Sequence, residues 1–566
     1  MYVRTTSRRT KDGSEVRYLQ LAHNEWDADA GRSRPRILFS FGREDQLDRT
    51  GIERLIGALS RLLDPASAAA LTAPADLAVT GSRPLGGTFI LDALWRRLRI
   101  DAAVTTALAG RRLDAAATER VLFALVANRA LAASSKLAAT GWISNDVHID
   151  GLAEVSDDAC YRAMDALVDV DARVAEQVYF GVTDLLNLEV DLLFFDTTST
   201  YFELDEPDEP VWRDEHGRVV DAGDPVAVRH AGFRSFGKSK DSRDDLPQVV
   251  IGMAVTRDGI PVRVWSWPGS TADSKLIRQV KNDMRAWSLS RIVWVADRGF
   301  SSSGNRRELM RGAGGYIIGE KLRSGSPEVQ AALSRQGRYQ HVRENLQVKE
   351  VNIGSDDRFV LCYNPEQAVR DAATRERMIA QLEQAIAGSD TLTGTERAKL
   401  EGVISTKPHL KRFLRTTPGG LLRIDKKKIA AEENLDGKYL LRCCDPNLSS
   451  EDIALGYKQL LEVERGWRDM KQIIDLRPIY HRLEERIRAH VLLCWLALLL
   501  IRVAENTSGQ TWQRIRTEAD RLHAVTFTGP AGTFRQTTEL TKTQRDLFTA
   551  LAIDPPKRVQ AAIPAA

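Results

Sequence analysis

A mixed α/β core, preceded by a mainly helical region, is the fold class this sequence predicts, on three observations. Between Val190 and Gly314, EVDLLFF, QVVIGMAVTRDGIPVRVWSW and RIVWVA read as strands, with SKLIRQVKNDMRAW and RRELMRGAG as helices among them. A strand, a hairpin, then helix, strand and helix make a mixed sheet covered by helices. Upstream, from 51 to 186, GIERLIGALSRLLD, TFILDALWRRLRI, ATERVLFALVANRALA and CYRAMDALVDV carry apolar residues at three and four spacing. Downstream, SSEDIALGYKQLLEVERGWRDMKQII opens on a serine cap with acids in its first turn, reads as one long helix, and stops before Arg477-Pro478.

Each segment follows in order. Residues 1–50 alternate like strands (VRYLQLAH, RILFSFG) around a polar turn, after Arg4, Arg8, Arg9 and Lys11. The short helices of 51–186 suit either a helix-turn-helix or an ordinary bundle, and nothing fixes which helix would read DNA. ELDEPDEPVWRDEHG is an acidic, proline-broken loop, and Arg257-Asp258-Gly259 is hairpin chemistry. Residues 323–435 interrupt the core with strand-like RFVLCYN, the polar helix ATRERMIAQLEQAIAG and a basic stretch. That stretch sets Lys407, Lys411, Arg412, Arg415, Arg423, Lys426, Lys427 and Lys428 against Asp425 alone. KYLLRCC is a returning strand. VLLCWLALLLI is too short an apolar run for a bilayer and reads as a buried helix. IDPPKRVQAAIPAA reads as a frayed tail. The segments are thus 1–50, 51–186, 187–322, 323–435, 436–505 and 506–566.

At 566 residues the chain exceeds one simple core. It is 43% hydrophobic and 28% charged, a globular composition. Lys+Arg 80 against Asp+Glu 77 leaves a formal charge of +3, so any nucleic-acid surface is local. Cys160, Cys362, Cys443, Cys444 and Cys494 lack CxxC spacing, which argues for a reducing compartment and against a zinc knuckle. MYVRTTSRRTKDGSE has no apolar core of a secretory signal, and a cytoplasmic location is expected.

Three acids stand out by context. Asp196 follows LLFF, Asp297 follows IVWVA, and Glu464 lies in the long helix. Taken singly, each aspartate reads equally well as a capping or turn residue, and Glu464 as a solvated helix glutamate. A carboxylate beside an apolar strand costs several kcal/mol, roughly, if desolvated and unpaired. Its partner is a proton, a backbone amide, an arginine or a metal ion. Acids after two neighbouring strands are adjacent. Tyr457, Glu464 and Lys471 are spaced to share a helix face, a stripe that no apolar core needs. Carboxylates brought together repel unless a cation neutralises them, and Mg²⁺ suits oxygen ligands. RHAGFRSFGKSKDSRDDLPQ carries Arg229, Arg234, Lys238, Lys240 and Arg243 with Phe233 and Phe236, as a DNA-touching or a merely solvated loop. Its Asp241, Asp244 and Asp245 are rival ligands without an apolar strand leading into them.

DTTST after one strand, ADRGF after another and YKQLLEVERGWRDMK on a late helix resemble the bacterial DDE insertion-sequence transposases, in the insertion sequence 4 superfamily and its 1634-like group. The likeness covers roughly residues 185–505. That superfamily's helix pattern of Tyr, Arg, Glu and Lys maps to Tyr457, Leu460, Glu464 and Lys471, departing at Leu460, where Arg465 or Arg468 is the stand-in.

The resemblance implies an RNase H-like sheet with Asp196 on its first strand, Asp297 on the fourth, and Glu464 on a helix after a β-rich insertion that helps hold DNA. It implies Asp196, Asp297 and Glu464 as catalytic ligands of two Mg²⁺ ions, with Mn²⁺ able to substitute. Tyr457, Lys471, Arg468 and Arg298 are then DNA contacts. Trp467 and Trp294 read as core residues first and as base-stacking residues second. The activity implied is endonucleolytic cleavage at terminal inverted repeats of double-stranded DNA and strand transfer to target DNA, by a homodimer or higher assembly associated with the nucleoid, without a membrane. Two rival readings are a non-catalytic DNA-binding protein, either a decayed transposase or a regulator, and an RNase H-type structure-specific nuclease.

Overall fold

The computed structural model describes residues 1–10, 15–27, 31–60, 77–185, 192–214, 219–284, 287, 292–312, 314–323, 326–529 and 532–564. It falls into two units: residues 1–81, 526–535 and 561–566 in one, 82–525 and 536–560 in the other.

In the smaller unit, Tyr2–Arg9, Glu15–Asp27 and Arg32–Arg43 form an antiparallel sheet in that order, followed by a helix at Arg49–Ser60. These are the strands predicted for 1–50.

The larger unit begins with the predicted helical region: Gly86–Arg97, Ile100–Leu108, Ala115–Leu131, Lys136–Gly141, Asp157–Val168 and Asp171–Leu185. Local chemistry starts three of them. Asp114, Ser135 and Ser156 each accept a hydrogen bond from the backbone N–H three residues on, satisfying a donor the helix leaves open.

A mixed sheet of nine strands follows. We label them β1 (Leu192–Tyr201), β2 (Gln248–Val255), β3 (Pro261–Pro268), β4 (Val293–Ala296), β5 (Gly315–Glu320), β6 (Gln340–Arg343), β7 (Leu346–Val351), β8 (Arg358–Tyr363) and β9 (Lys438–Cys443). Their order is β6-β7-β8-β9-β5-β4-β1-β2-β3. β4 runs parallel to both β1 and β5, and the other neighbouring pairs are antiparallel. Every residue of β2 is buried, as expected for a strand covered on both faces. The predicted hairpin joins β2 to β3, with Gly259 at φ 73°, a conformation glycine adopts without strain.

Three expectations need correction. First, β1 does not stop at Asp196. Thr197 to Tyr201 continue the strand against β2, because a Thr/Ser/Thr/Tyr run pairs well once both faces are covered. Second, the inserted segment is neither so long nor β-rich. Leu346–Val351 and Arg358–Tyr363 belong to the main sheet, where RFVLCY pairs with KYLLRC. What interrupts the sheet is 364–437, mainly helical (Pro365–Ile386, Gly394–Ser405, Pro408–Lys411, Lys426–Glu433), with one small hairpin of Leu414–Thr416 and Leu422–Ile424. It has its own apolar core around Leu382, Ile404, Leu410, Phe413 and Leu422. Third, the long late helix is two helices, α1 (Ser450–Lys458) and α2 (Leu460–Gln472), divided at Gln459. The Gln459 amide is shared between the carbonyls of Leu455 and Gly456, and its own carbonyl takes the Glu462 N–H in a three-residue turn. The expected serine cap holds: Ser449 and Asp452 form a capping box.

Helix α3 (Glu484–Ser508) contains the apolar run and extends well beyond it to 25 residues, with 89% of its most apolar window buried inside the molecule. By length and composition it passes as a membrane span, but here its surface is covered by the core. It also fixes α2. Arg502, 1% exposed, pairs with Asp469 of α2 at 2.7 Å and with Glu505 at 2.7 Å. One turn earlier in α2, Gly466 lets the helix close on β2, where a Cβ would lie 2.6 Å from Met253 Cε.

Candidate active site

The centre of the sheet brings two predicted acids together. Phe195 of β1 pairs with Ala296 of β4 in parallel register, so Asp196 and Asp297 are the next residues along adjacent strands. Asp196 is directly opposite Met253 of β2, whose side chain reaches Gly466 of α2. Cross-strand partners share a face, so the Asp196 carboxylate faces the α2 layer. Burial pushes its carboxyl up to about 6; the Lys240 ammonium and the Thr197 amide oppose this, and negative charge on Asp297 and Asp273 adds to it.

Asp297 is exposed, at the start of a short turn where β4 ends. Its Oδ1 accepts a hydrogen bond from the Tyr457 hydroxyl at 3.0 Å. Tyr457 stacks on Tyr439, with centroids 5.9 Å apart. Burial, then the charge of Asp297, raise its phenol far above the ordinary value, so it remains a donor. Gly319 of β5 makes room for that hydroxyl; a Cβ there would press on it.

The remaining predicted residues are less gathered. Glu464 and Arg468 lie on the exposed face of α2, and Glu464 has no hydrogen bond or ion pair among the described residues. Arg298 is exposed beside Asp297, near enough to Tyr457 to oppose the rise of its phenol. Lys471 is engaged: its ammonium meets Asp241 Oδ1 at 2.9 Å, and Arg477 meets Oδ2 of the same aspartate at 3.2 Å. Asp241 is therefore a partner of cations. Asp245 pairs with Arg243 at 2.8 Å, and Asp244 accepts the Ser239 N–H at 2.6 Å. Leu460 packs against the core, and Arg465 is bound to Glu505 at 3.1 Å. Trp294 and Trp467 are buried, in line with their core reading.

Of two further residues at the site, one escapes a reading of the sequence and the other is legible only as part of a basic loop. Asp273 sits in a short turn beyond β3; its Oδ1 accepts the Thr197 hydroxyl at 2.9 Å and its Oδ2 the Lys240 ammonium at 3.1 Å. The signal available is slight: GSTAD is turn sequence, and the aspartate follows the end of a strand. Lys240 stands out in the sequence only as one basic residue of a loop.

The two aspartates are oxygen donors of the kind a hard divalent ion takes. Asp196 and Asp297 offer carboxylate oxygens whose mutual repulsion a cation would relieve. Among the described residues, however, no three His, Cys, Asp or Glu side chains converge to hold a metal. Glu464, the third predicted ligand, is not gathered with them.

Comparison with known proteins adds the following. Residues 3–70 match the family model described as IS1634 family transposase, N-terminal domain. No curated protein matches. One solved structure, described as a piggyBac transposase synaptic complex with hairpin DNA, is similar at TM-score 0.35 and 10% identity over 77% of this chain and 79% of that chain. A likeness that low carries no argument about this chain.

Proposed function

Since this chain is an insertion-sequence transposase of the IS1634 group by its N-terminal match, we propose that it cleaves DNA at the ends of its element and joins them to target DNA, using Asp196 and Asp297 as the centre of a DDE site. The observation that carries the reading is the pairing of a desolvated aspartate on β1 with a second aspartate directly after the neighbouring parallel strand β4. The order β3-β2-β1-β4-β5, antiparallel on one side of β1 and parallel on the other, accords with an RNase H-like core.

Mg²⁺, or Mn²⁺ in its place, held by Asp196 and Asp297 with Glu464 joining them, as two ions in the family's manner, would supply charge neutralisation and a more acidic water. The chain does the rest. Tyr457 holds the Asp297 carboxylate in one orientation through its O–H. The packing of Leu193, Phe194 and Phe195 keeps Asp196 from moving with solvent. In the cleavage step a water oxygen bonds to phosphorus, the bond from phosphorus to the 3′ oxygen breaks, and that oxygen leaves as a 3′-hydroxyl carrying the proton. In strand transfer that 3′ oxygen bonds to a target phosphorus, the bond from that phosphorus to the target strand's own 3′ oxygen breaks, and the latter leaves as a hydroxyl with the proton given up by the attacking one. Arg298 and Arg468 are exposed to meet the DNA backbone, and we assign a second backbone surface to the inserted module, where Lys407, Lys411, Arg415, Lys426 and Lys427 are exposed. Synapsis of two ends calls for a homodimer or larger assembly on double-stranded DNA.

Asp297→Asn tests the reading. Mg²⁺-dependent end cleavage should disappear while binding to the end DNA persists; cleavage by this variant at the wild-type rate sinks the assignment. One observation favours the rival of a non-catalytic DNA-binding protein, namely that Glu464 stands apart from the two aspartates. That rival requires full biological function in Asp196→Ala.

A further inference from the structure

The loop between β1 and β2 passes over the catalytic strand and is tied down at successive residues. The Lys240 amide donates to Ser199 Oγ of β1 at 2.8 Å, and the next amide, Asp241 N–H, donates to Ser239 Oγ at 3.1 Å. The two side chains then go to different partners. Asp241 takes Lys471 of α2 together with Arg477, while Lys240 takes Asp273. Asp273 is itself held by the hydroxyl of Thr197, the residue following Asp196. A lysine chain is ordinarily free to swing through its rotamers, but here its backbone and its tip are both anchored within a few residues of Asp196.

We propose that Lys240 is a further catalytic residue of this site, its ammonium contacting a non-bridging oxygen of the scissile phosphodiester, with Asp273 as the residue that positions it. The proposal rests on the DDE reading above and deepens it. A phosphodiester approaching Asp196 and Asp297 meets two carboxylates, and the charge of Asp273 also acts on Asp196, so the cations nearby decide whether it can settle. An ammonium has three donors, and one is used by Asp273. The side chain is 42% exposed, which leaves the others open to a ligand. A purely structural surface pair contributes little to stability and needs no such anchoring at both ends. Charge grows on the non-bridging oxygens as the phosphoryl group transfers, and an ammonium already oriented towards them favours that state over the ground state.

The test uses full-length protein and DNA carrying the sequences that flank its own coding region. Lys240→Met should lower the single-turnover cleavage rate by about 100-fold while end binding and melting temperature stay at wild-type values. Lys240→Arg should recover part of the rate, and serves also if the Met variant melts early. Sulfur in place of the contacted non-bridging oxygen should slow the wild type yet add little to Lys240→Met or to Asp273→Asn, a non-additivity that a structural role would not produce. Cleavage by Lys240→Met at the wild-type rate, or an equal sulfur penalty in wild type and variant, overturns the proposal. Asp297→Asn run alongside separates the failures: if it cleaves, the DDE reading falls and this one with it; if it is inactive while Lys240→Met is unaffected, only this one falls.

Discussion

Asp196 ionises against its surroundings. Its carboxyl is raised from 3.8 to about 6, chiefly by burial. For such a group the stabilising, protonated form is fully present below the ordinary value, and its contribution is lost as pH rises through about 6. Asp196→Asn should therefore melt above the wild type at pH 7.5 without divalent ions, by up to about 3 kcal/mol. The advantage should shrink through pH 6 and vanish at acid pH, which melting curves across pH check. Tyr457→Phe removes the donor to Asp297. Cleavage should drop by about fivefold, the worth of a hydrogen bond of about 1 kcal/mol, equally at all working pH values because the phenol does not ionise there. Rates measured from pH 6 to 9 check this. Asp196 and Asp297 were legible in the sequence because an apolar run marks the strand leading to each. Asp273 was not, since a turn has no period to read, and its role depends on Thr197 and Lys240, far away in the chain.

The elements around the site were legible in kind and less so in extent. Helical periodicity located α1 and α2, but the stripe of Tyr457, Glu464 and Lys471 assumed an unbroken helix. The turn at Gln459 ends the phase relation between Tyr457 and α2: Tyr457 reaches Asp297, while Glu464 is exposed and Lys471, two turns further along α2, reaches Asp241. Propensity does not forbid a helix at Gln459; the competing packing of α1 on β5 and α2 on β1 and β2 breaks it. The seat of α2 depends on Arg502. Arg502→Met strands Asp469 without its ion partner and leaves Glu505 only Arg465, and should cost about 3 kcal/mol, read as a lower denaturation midpoint with unchanged slope. On the other side of the site, Gly319→Ala should push the Tyr457 hydroxyl from Asp297 and reproduce the rate loss of Tyr457→Phe without touching either side chain.

Across the whole molecule, the chain leaves the sheet after β8 and returns at β9 through residues that meet: the Asn364 N–H donates to the Gly437 carbonyl at 2.8 Å, and Tyr363 pairs with Lys438. The sequence showed that something interrupts the core, from its mixture of textures, but placed the start too early because strand-like pieces do not announce which sheet they join. Replacing 364–437 by a short turn should leave the sheet folded, with cooperative melting retained, and should lower affinity for end DNA. Changing Lys426, Lys427 and Lys428 to Gln should weaken binding alike on all sequences. It should also flatten the salt dependence by roughly 0.9 for each phosphate left without its cation, which titrations at several salt concentrations check. The adjoining ends at 364 and 437 make the module a detachable part. Its surface can be exchanged or recoded without altering the path of a single core strand, so under the proposed function preference for particular DNA ends is free to diverge while the chemistry assigned to Asp196 and Asp297 stays as it is.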